Sequence, residues 1–206
     1  MNFKKGRLLR RFVMMGTPVL FAILSIMHPV PRAPKIMYDL QTGYGFWVGI
    51  HVAELFLLGF LGLTLWFLLE GLEGKAATLG RLAIIPFLVF YSAFEAIVGI
   101  GTGLMAWRAQ EVAGPDQAID FQLVQHFWMS LLDPEVPVVY LYVIGDLSWL
   151  VAVIAAAVAW RSAGAPIIGV ALLVSAGILF GIDHPFPIGT AAMICLFFAV
   201  VLLDHS

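Results

Sequence analysis

The chain has one cysteine in 206 residues, and that residue, Cys195, lies inside an apolar run. A single thiol excludes an internal disulfide, a CxxC redox pair and a thiolate metal cluster. Packing is the role that remains for it. Charge is scarce as well: Asp, Glu, Lys and Arg make up 12% of the residues, and the formal net charge is -2. With no basic face to neutralise phosphates, nucleic acid is excluded as a partner. Lysine occurs only at positions 4, 5, 35 and 75, so no late helix offers an amine for a retinal Schiff base. No GxSxG elbow occurs either, which argues against a serine hydrolase built on Ser92 or Ser148 beside Glu95 and Asp146.

Hydrophobicity is what the chain has in abundance. Apolar residues make up 62% of it and the mean hydropathy is +0.99, a composition that suits an integral membrane protein and not a soluble domain. The N-terminal stretch has the basic flank and apolar run of a signal peptide, but no small-x-small cleavage site precedes His28. It is expected to remain as a first membrane helix.

A bilayer-spanning helix needs roughly 17 to 25 mostly apolar residues. Six such runs are present, at about 12–28, 45–69, 78–107, 136–160, 165–182 and 186–203. Proline-containing or charged turns separate them: "PVPRAP", "EGLEGK", an acidic stretch from Arg108 to Glu135, "RSAGAP" and "DHPFP". The predicted fold class is an all-α integral membrane protein, with residues 1–206 forming a single six-transmembrane-helix bundle.

Orientation follows from where the cations sit. Lys4, Lys5, Arg7, Arg10, Arg11, Lys75, Arg81 and Arg161 all fall on one side of a six-span topology. Arg32, Lys35 and Arg108 fall on the other, together with Glu111, Asp116, Asp120, Asp133 and Glu135. Both termini are therefore expected in the cytoplasm, with the bacterial inner (plasma) membrane as the setting. The acidic third loop contains "IDFQLVQHFWMSLLDP", in which Phe121, Val124, Phe127, Trp128 and Leu131 recur at helical spacing. Gln122, Gln125, His126 and Ser130 fill the opposite face. That pattern predicts a short amphipathic helix in the outer interface over 119–132, stopped by Pro134.

Ionisable groups inside a span are costly unless they face a protein interior, a partner or water. Here they agree in depth. His51 and Glu54 share a face of the second helix, Glu95 lies near or just outside the middle of the third, and Asp146 comes about three turns into the fourth. His28 and His184 end outward-running helices in two matching stretches, "SIMHPVP" and "GIDHPFP". In each, histidine before proline has a structural role as a cap for the last carbonyls of the helix. The carboxylates have a structural role too, as interhelical hydrogen-bonding groups. The shared depth of all six instead predicts an outward-facing polar cavity, lidded by the 119–132 segment. "GIGTG" at 99–103 lies within a span, so Gly99 and Gly103 read as a close helix contact and not as a nucleotide loop; Gly177 and Gly181 read the same way.

Imidazole with carboxylate suits zinc, iron or manganese. His28, His51 and His184 are the candidate metal ligands, joined by Glu54 or Asp146, with Glu95 as general base. Glu54, Glu95 and Asp146 are the candidate catalytic carboxylates, and Trp47, Tyr91, Tyr142 and Trp149 the aromatic walls. The chemistry expected is metal-dependent or acid-base, on a lipid-like small molecule drawn from the membrane lipids. Three alternatives stand beside it: a proton-coupled transporter, a haem protein with histidine axial ligands, and a non-catalytic assembly subunit.

Overall fold

The computed structural model describes residues 3–29, 36–113, 121–131 and 133–204, with the side chains of 3–5, 7, 36–42, 113 and 121–125 left aside. Among the described residues every regular element is helical and none is a strand. Most of the "PVPRAP" turn, with Arg32 and Lys35, lies outside them, as do Asp116 and Asp120, and the faces expected for the side chains of Phe121, Gln122, Val124 and Gln125 fall among those left aside.

Helix α1 (Phe3–Met27) carries Pro18 in its interior, one residue after Thr17, whose hydroxyl donates to the Val13 carbonyl at 2.7 Å. The helix stops short of His28 because Pro29 disfavours helical geometry in the residue before it. Helix α2 (Ile36–Leu68) bends at Gly43, where the backbone leaves helical geometry, and runs from there as a 26-residue apolar span. Helix α3 (75–113) is one continuous rod containing two wider π-helical turns, Phe87–Tyr91 and Glu95–Gly101. The first begins immediately after Pro86, which lacks the amide that an α-turn would use. Helix α4 (Phe121–Leu131) occupies the segment predicted to be amphipathic. Helices α5 (Val138–Ser162), α6 (Ile167–Ile182) and α7 (Ile188–Leu203) complete the chain.

Each of the six predicted runs is occupied by a helix. Among the described residues, four helical stretches are long and apolar enough to cross a membrane: Leu8–Met27, Gly43–Leu68, Lys75–Val112 and Val138–Ser162. Helices α6 and α7 have 16 residues each. At 1.5 Å per residue that is about 24 Å, short of the roughly 30 Å hydrocarbon core of a bilayer. Large apolar side chains point outward along the bundle, among them Phe12, Phe56, Leu82, Val158 and Ile168. Such a surface would be an aggregation liability in water and is what lipid contact favours.

Packing pairs α1 with α2 and α7, α3 with α5, α5 with α6, and α6 with α7. Small residues set these approaches. Alanines at 152, 155, 156, 157 and 159 give α5 a smooth buried face. Gly99 and Gly103 of α3 lie against His51, Val48 and Trp47 of α2, while Gly177 and Gly181 of α6 lie against Val153 and Asp146 of α5. The close helix contacts expected at both glycine pairs are therefore present. Between the helices an aromatic cluster fills the centre: Trp149 stands 5.0 Å from Phe87 and 5.2 Å from Phe180, and Phe180 stands 5.6 Å from Tyr91, centroid to centroid.

One end of the bundle is closed by arginine. Arg10 donates to the Phe67 carbonyl at 3.0 Å and pairs with Glu70 at 3.3 Å and Asp204 at 3.5 Å, tying the start of α1 to the ends of α2 and α7. Arg81 donates to the carbonyls of Leu69 and Leu72, and the Trp160 indole donates to that of Leu68. These are the free carbonyls at the end of α2, which a cation or indole N–H can satisfy.

Candidate functional site

The opposite end of the bundle gathers the polar residues. His28 follows the last turn of α1, and His184 stands between α6 and α7, held outside helix by the proline after it, as His28 is. The two segments are joined directly, since the Phe186 amide donates to the Ser25 carbonyl at 3.0 Å. Gly189 fits under the backbone carbonyl of His184 where a Cβ would collide with it. The histidine rings consequently meet edge to face, with centroids 5.2 Å apart. His51 completes the group at 5.0 Å from His28.

His51 is fixed from two sides. Its Nδ1 lies 2.8 Å from the Trp47 carbonyl one turn earlier, and its ring packs on Gly99, where no side chain could stand. The Trp47 indole donates to the Gly99 carbonyl at 2.7 Å, locking the second π-turn of α3 onto α2. Glu54, one turn after His51, points into the same interior, and Glu95 enters from the first residue of that π-turn. Extra π-turns re-aim the side chains they carry and recur at functional sites.

The two carboxylates stand among the three imidazoles. Glu54 Oε2 is 3.8 Å from His28 Nε2; Glu95 Oε1 is 3.7 Å from His184 Nε2, and Glu95 Oε2 is 4.0 Å from His51 Nε2. None of His28, His51, Glu54 and Glu95 is more than 7% exposed, and the His184 side chain is 17% exposed. These separations exceed hydrogen-bond length. Within the described residues, His28 Nε2, His184 Nε2 and both oxygens of Glu54 have no hydrogen-bond partner. Buried polar atoms are almost always paired, so an orphaned set of this size calls for an explanation. Two ligands bound at about 2.0–2.2 Å to one ion stand about 2.8–3.6 Å apart at octahedral or tetrahedral angles. The observed gaps differ from that by a few tenths of an ångström, within reach of small side-chain rotations. His28, His51 and Glu54 form one group with ligand atoms all within 4.8 Å of one another, and Glu54, Glu95 and His184 form a second.

Five of the six residues singled out in the sequence therefore converge. Asp146 stands apart: it lies on α5 against Gly181, belongs to neither group and does not line the cavity. The cavity itself has a volume of about 360 Å³ and exposes His28, His51, Glu95 and His184 on one wall, with Trp47, Phe94, Val98, Trp128 and Tyr142 around them. Trp128 comes from α4, whose Phe127 and Leu131 pack with Phe94 and Val98, so the described part of the segment expected as a lid contributes to the cavity wall. Tyr91 faces the cluster through its hydroxyl, 3.2 Å from His184 Nδ1. Trp149, expected as a wall, is instead wholly buried in the central aromatic cluster.

Sequence reasoning missed Asp183, which also lines the cavity. Its adjacency to His184 was the available signal. Partial burial pushes the Asp183 carboxyl above its ordinary value, opposed by a hydrogen bond from the His184 backbone N–H.

The chain matches no family model, no curated protein and no solved structure.

Proposed function

We propose that the His/Glu cluster binds a divalent transition metal, zinc, iron or manganese, and that the protein uses it for chemistry on a lipid-like molecule seated in the adjoining cavity. The carrying observation is the set of unpartnered imidazole nitrogens and carboxylate oxygens that face one another in the buried interior. Three imidazoles and two carboxylates match the ligand preferences of these ions. A bound ion would act as a Lewis acid and activate water near neutral pH. The chain supplies the rest: Tyr91 orients His184, the Trp47 carbonyl orients His51, and the aromatic walls seat an apolar chain.

In this reading the protein is a six-span resident of a bacterial inner membrane with both termini cytoplasmic. The outward-facing Ile168, Ile178, Ile182 and Phe198 support lipid contact along α6 and α7. The arginines gathered at the other end of the bundle support a cytoplasmic location for that end. The site then opens to the outer half of the bilayer. Beneath it lie the aromatic cluster and the arginine closure, an arrangement that favours a one-sided site over a conduit. Histidine rings in edge contact leave no room for a porphyrin plane between them, which disfavours haem.

Elemental analysis of the purified protein tests the proposal. Stoichiometric zinc, iron or manganese is expected, falling at least tenfold in His51→Ala. Protein that stays metal-free after incubation with each of the three salts would overturn it. Tyr91→Phe removes the partner of His184 Nδ1 and is expected to weaken metal affinity by about tenfold, the lower end of the range for outer-shell partners. Metal titration with a competing chelator measures that change.

A further inference from the structure

Resting on the metal reading above, we infer that the site is dinuclear, with Glu54 and Glu95 bridging two ions. The two ligand groups overlap at one residue: Glu54 belongs both with His28 and His51 and with Glu95 and His184. Glu95 divides its oxygens in the same way. Its Oε1 faces His184, at 3.7 Å, and its Oε2 faces His51, at 4.0 Å. A carboxylate that serves one ion aims one oxygen, or both, at a single point. Glu95 aims its oxygens at histidines that belong to different groups, which is the disposition of a carboxylate spanning two ions.

The assignment that follows places the first ion among His28, His51, one oxygen of Glu54 and Oε2 of Glu95. The second takes His184, the other oxygen of Glu54 and Oε1 of Glu95. Two carboxylates then share the charge of two divalent ions, and paired metals of this kind stand about 3.5–4 Å apart. The same assignment accounts for both free oxygens of Glu54, which a single ion on one side would leave half used. The two ions are unequal. The first has four protein ligands, two of them imidazoles; the second has three and a single imidazole, leaving more positions to water or substrate. His28, His51, Glu95 and His184 all line the cavity, so both ions would border the space where a substrate would lie, and the second, with fewer protein ligands, would offer it more open positions. The "HVAE" pair at 51–54 contributes to this arrangement by placing an imidazole and a bridging carboxylate one turn apart on α2.

The test uses the full chain in detergent or nanodiscs, stripped by chelator and reloaded with manganese(II) or zinc(II) salts. Two equivalents per chain are expected at saturation, and the manganese form is expected to show an exchange-coupled electron paramagnetic resonance spectrum. His184→Ala is expected to lower the stoichiometry from two to one and abolish the coupling. Glu95→Gln is expected to weaken the coupling even where both ions remain. Circular dichroism and size exclusion identify any variant that fails to fold, and the wild-type stoichiometry and spectrum decide the matter without variants. One equivalent with the spectrum of an isolated ion would overturn the dinuclear assignment and leave the metal reading standing. No bound metal under any loading condition would overturn both.

Discussion

Gly99→Ala is expected to abolish metal binding without removing a ligand. The added Cβ would overlap the Cγ and Cδ2 of the His51 ring, which also packs against Trp47 with ring centroids 4.5 Å apart. Neither neighbour can give way cheaply. Trp47 is buried and bonded through its indole to the Gly99 carbonyl, so the imidazole must rotate out of line with Glu95 and His28. Overpacking of this kind costs about 1–3 kcal/mol in stability. Metal affinity is expected to fall by at least a hundredfold, because the displaced group is itself a ligand. Gly101→Ala is the matched control: its Cβ would meet only the Ala96 carbonyl, at 3.5 Å, an ordinary contact. It should bind metal as the parent does and melt at the same temperature or slightly higher, alanine being favoured over glycine in a helix by up to about 1 kcal/mol. Equal metal retention in the two variants would contradict this account of the α2–α3 contact.

Glu54→Leu is expected to uncouple stability from metal. Stripping the wild-type protein leaves its buried imidazoles and carboxylates unpartnered, so its melting temperature should fall on chelation. A ligand present at a hundred times its dissociation constant stabilises the folded state by about 2.7 kcal/mol. In Glu54→Leu the residue common to both ligand groups is gone, and its place is taken by an apolar side chain of similar volume. Both oxygens of Glu54 are buried without a hydrogen-bond partner, so an apolar replacement removes a desolvation cost that the stripped wild-type protein bears. The stripped variant should thus melt no lower than stripped wild type and should not respond to zinc or manganese. Thermal melts of both proteins with and without metal check this. A large metal-induced shift in Glu54→Leu would mean that Glu54 is not a ligand.

Glu54 and His51 also show how far local spacing carries. Residues three apart on a helix share a face whatever surrounds it, so this pair was legible from the sequence. So were His28 and His184, because the proline after each disfavours helical geometry at the histidine and each apolar run ends there. The helix that supplies Trp128 to the cavity wall was legible through the period of Phe127, Trp128 and Leu131. The position of Asp146 was not, because depth along a helix says nothing about azimuth: it lies on α5 against Gly181 and outside the cavity wall. Trp149 misled for the same reason, turning into the aromatic centre. The π-turns of α3 had no clear signature beyond Pro86, yet the second one carries Glu95.

By itself, then, the sequence determined an all-helical, strongly apolar chain with a few ionisable residues set inside its apolar runs, since hydropathy, proline punctuation and charge placement act locally along the chain. Only the tertiary structure decided which of those residues meet. The bend at Gly43, the π-turn at Glu95, the Gly99 contact and the Phe186–Ser25 hydrogen bond rotate and pin separate helices until three imidazoles and two carboxylates share one interior. That convergence depends on helix azimuth and on contacts between residues far apart in the chain, which local pattern does not encode.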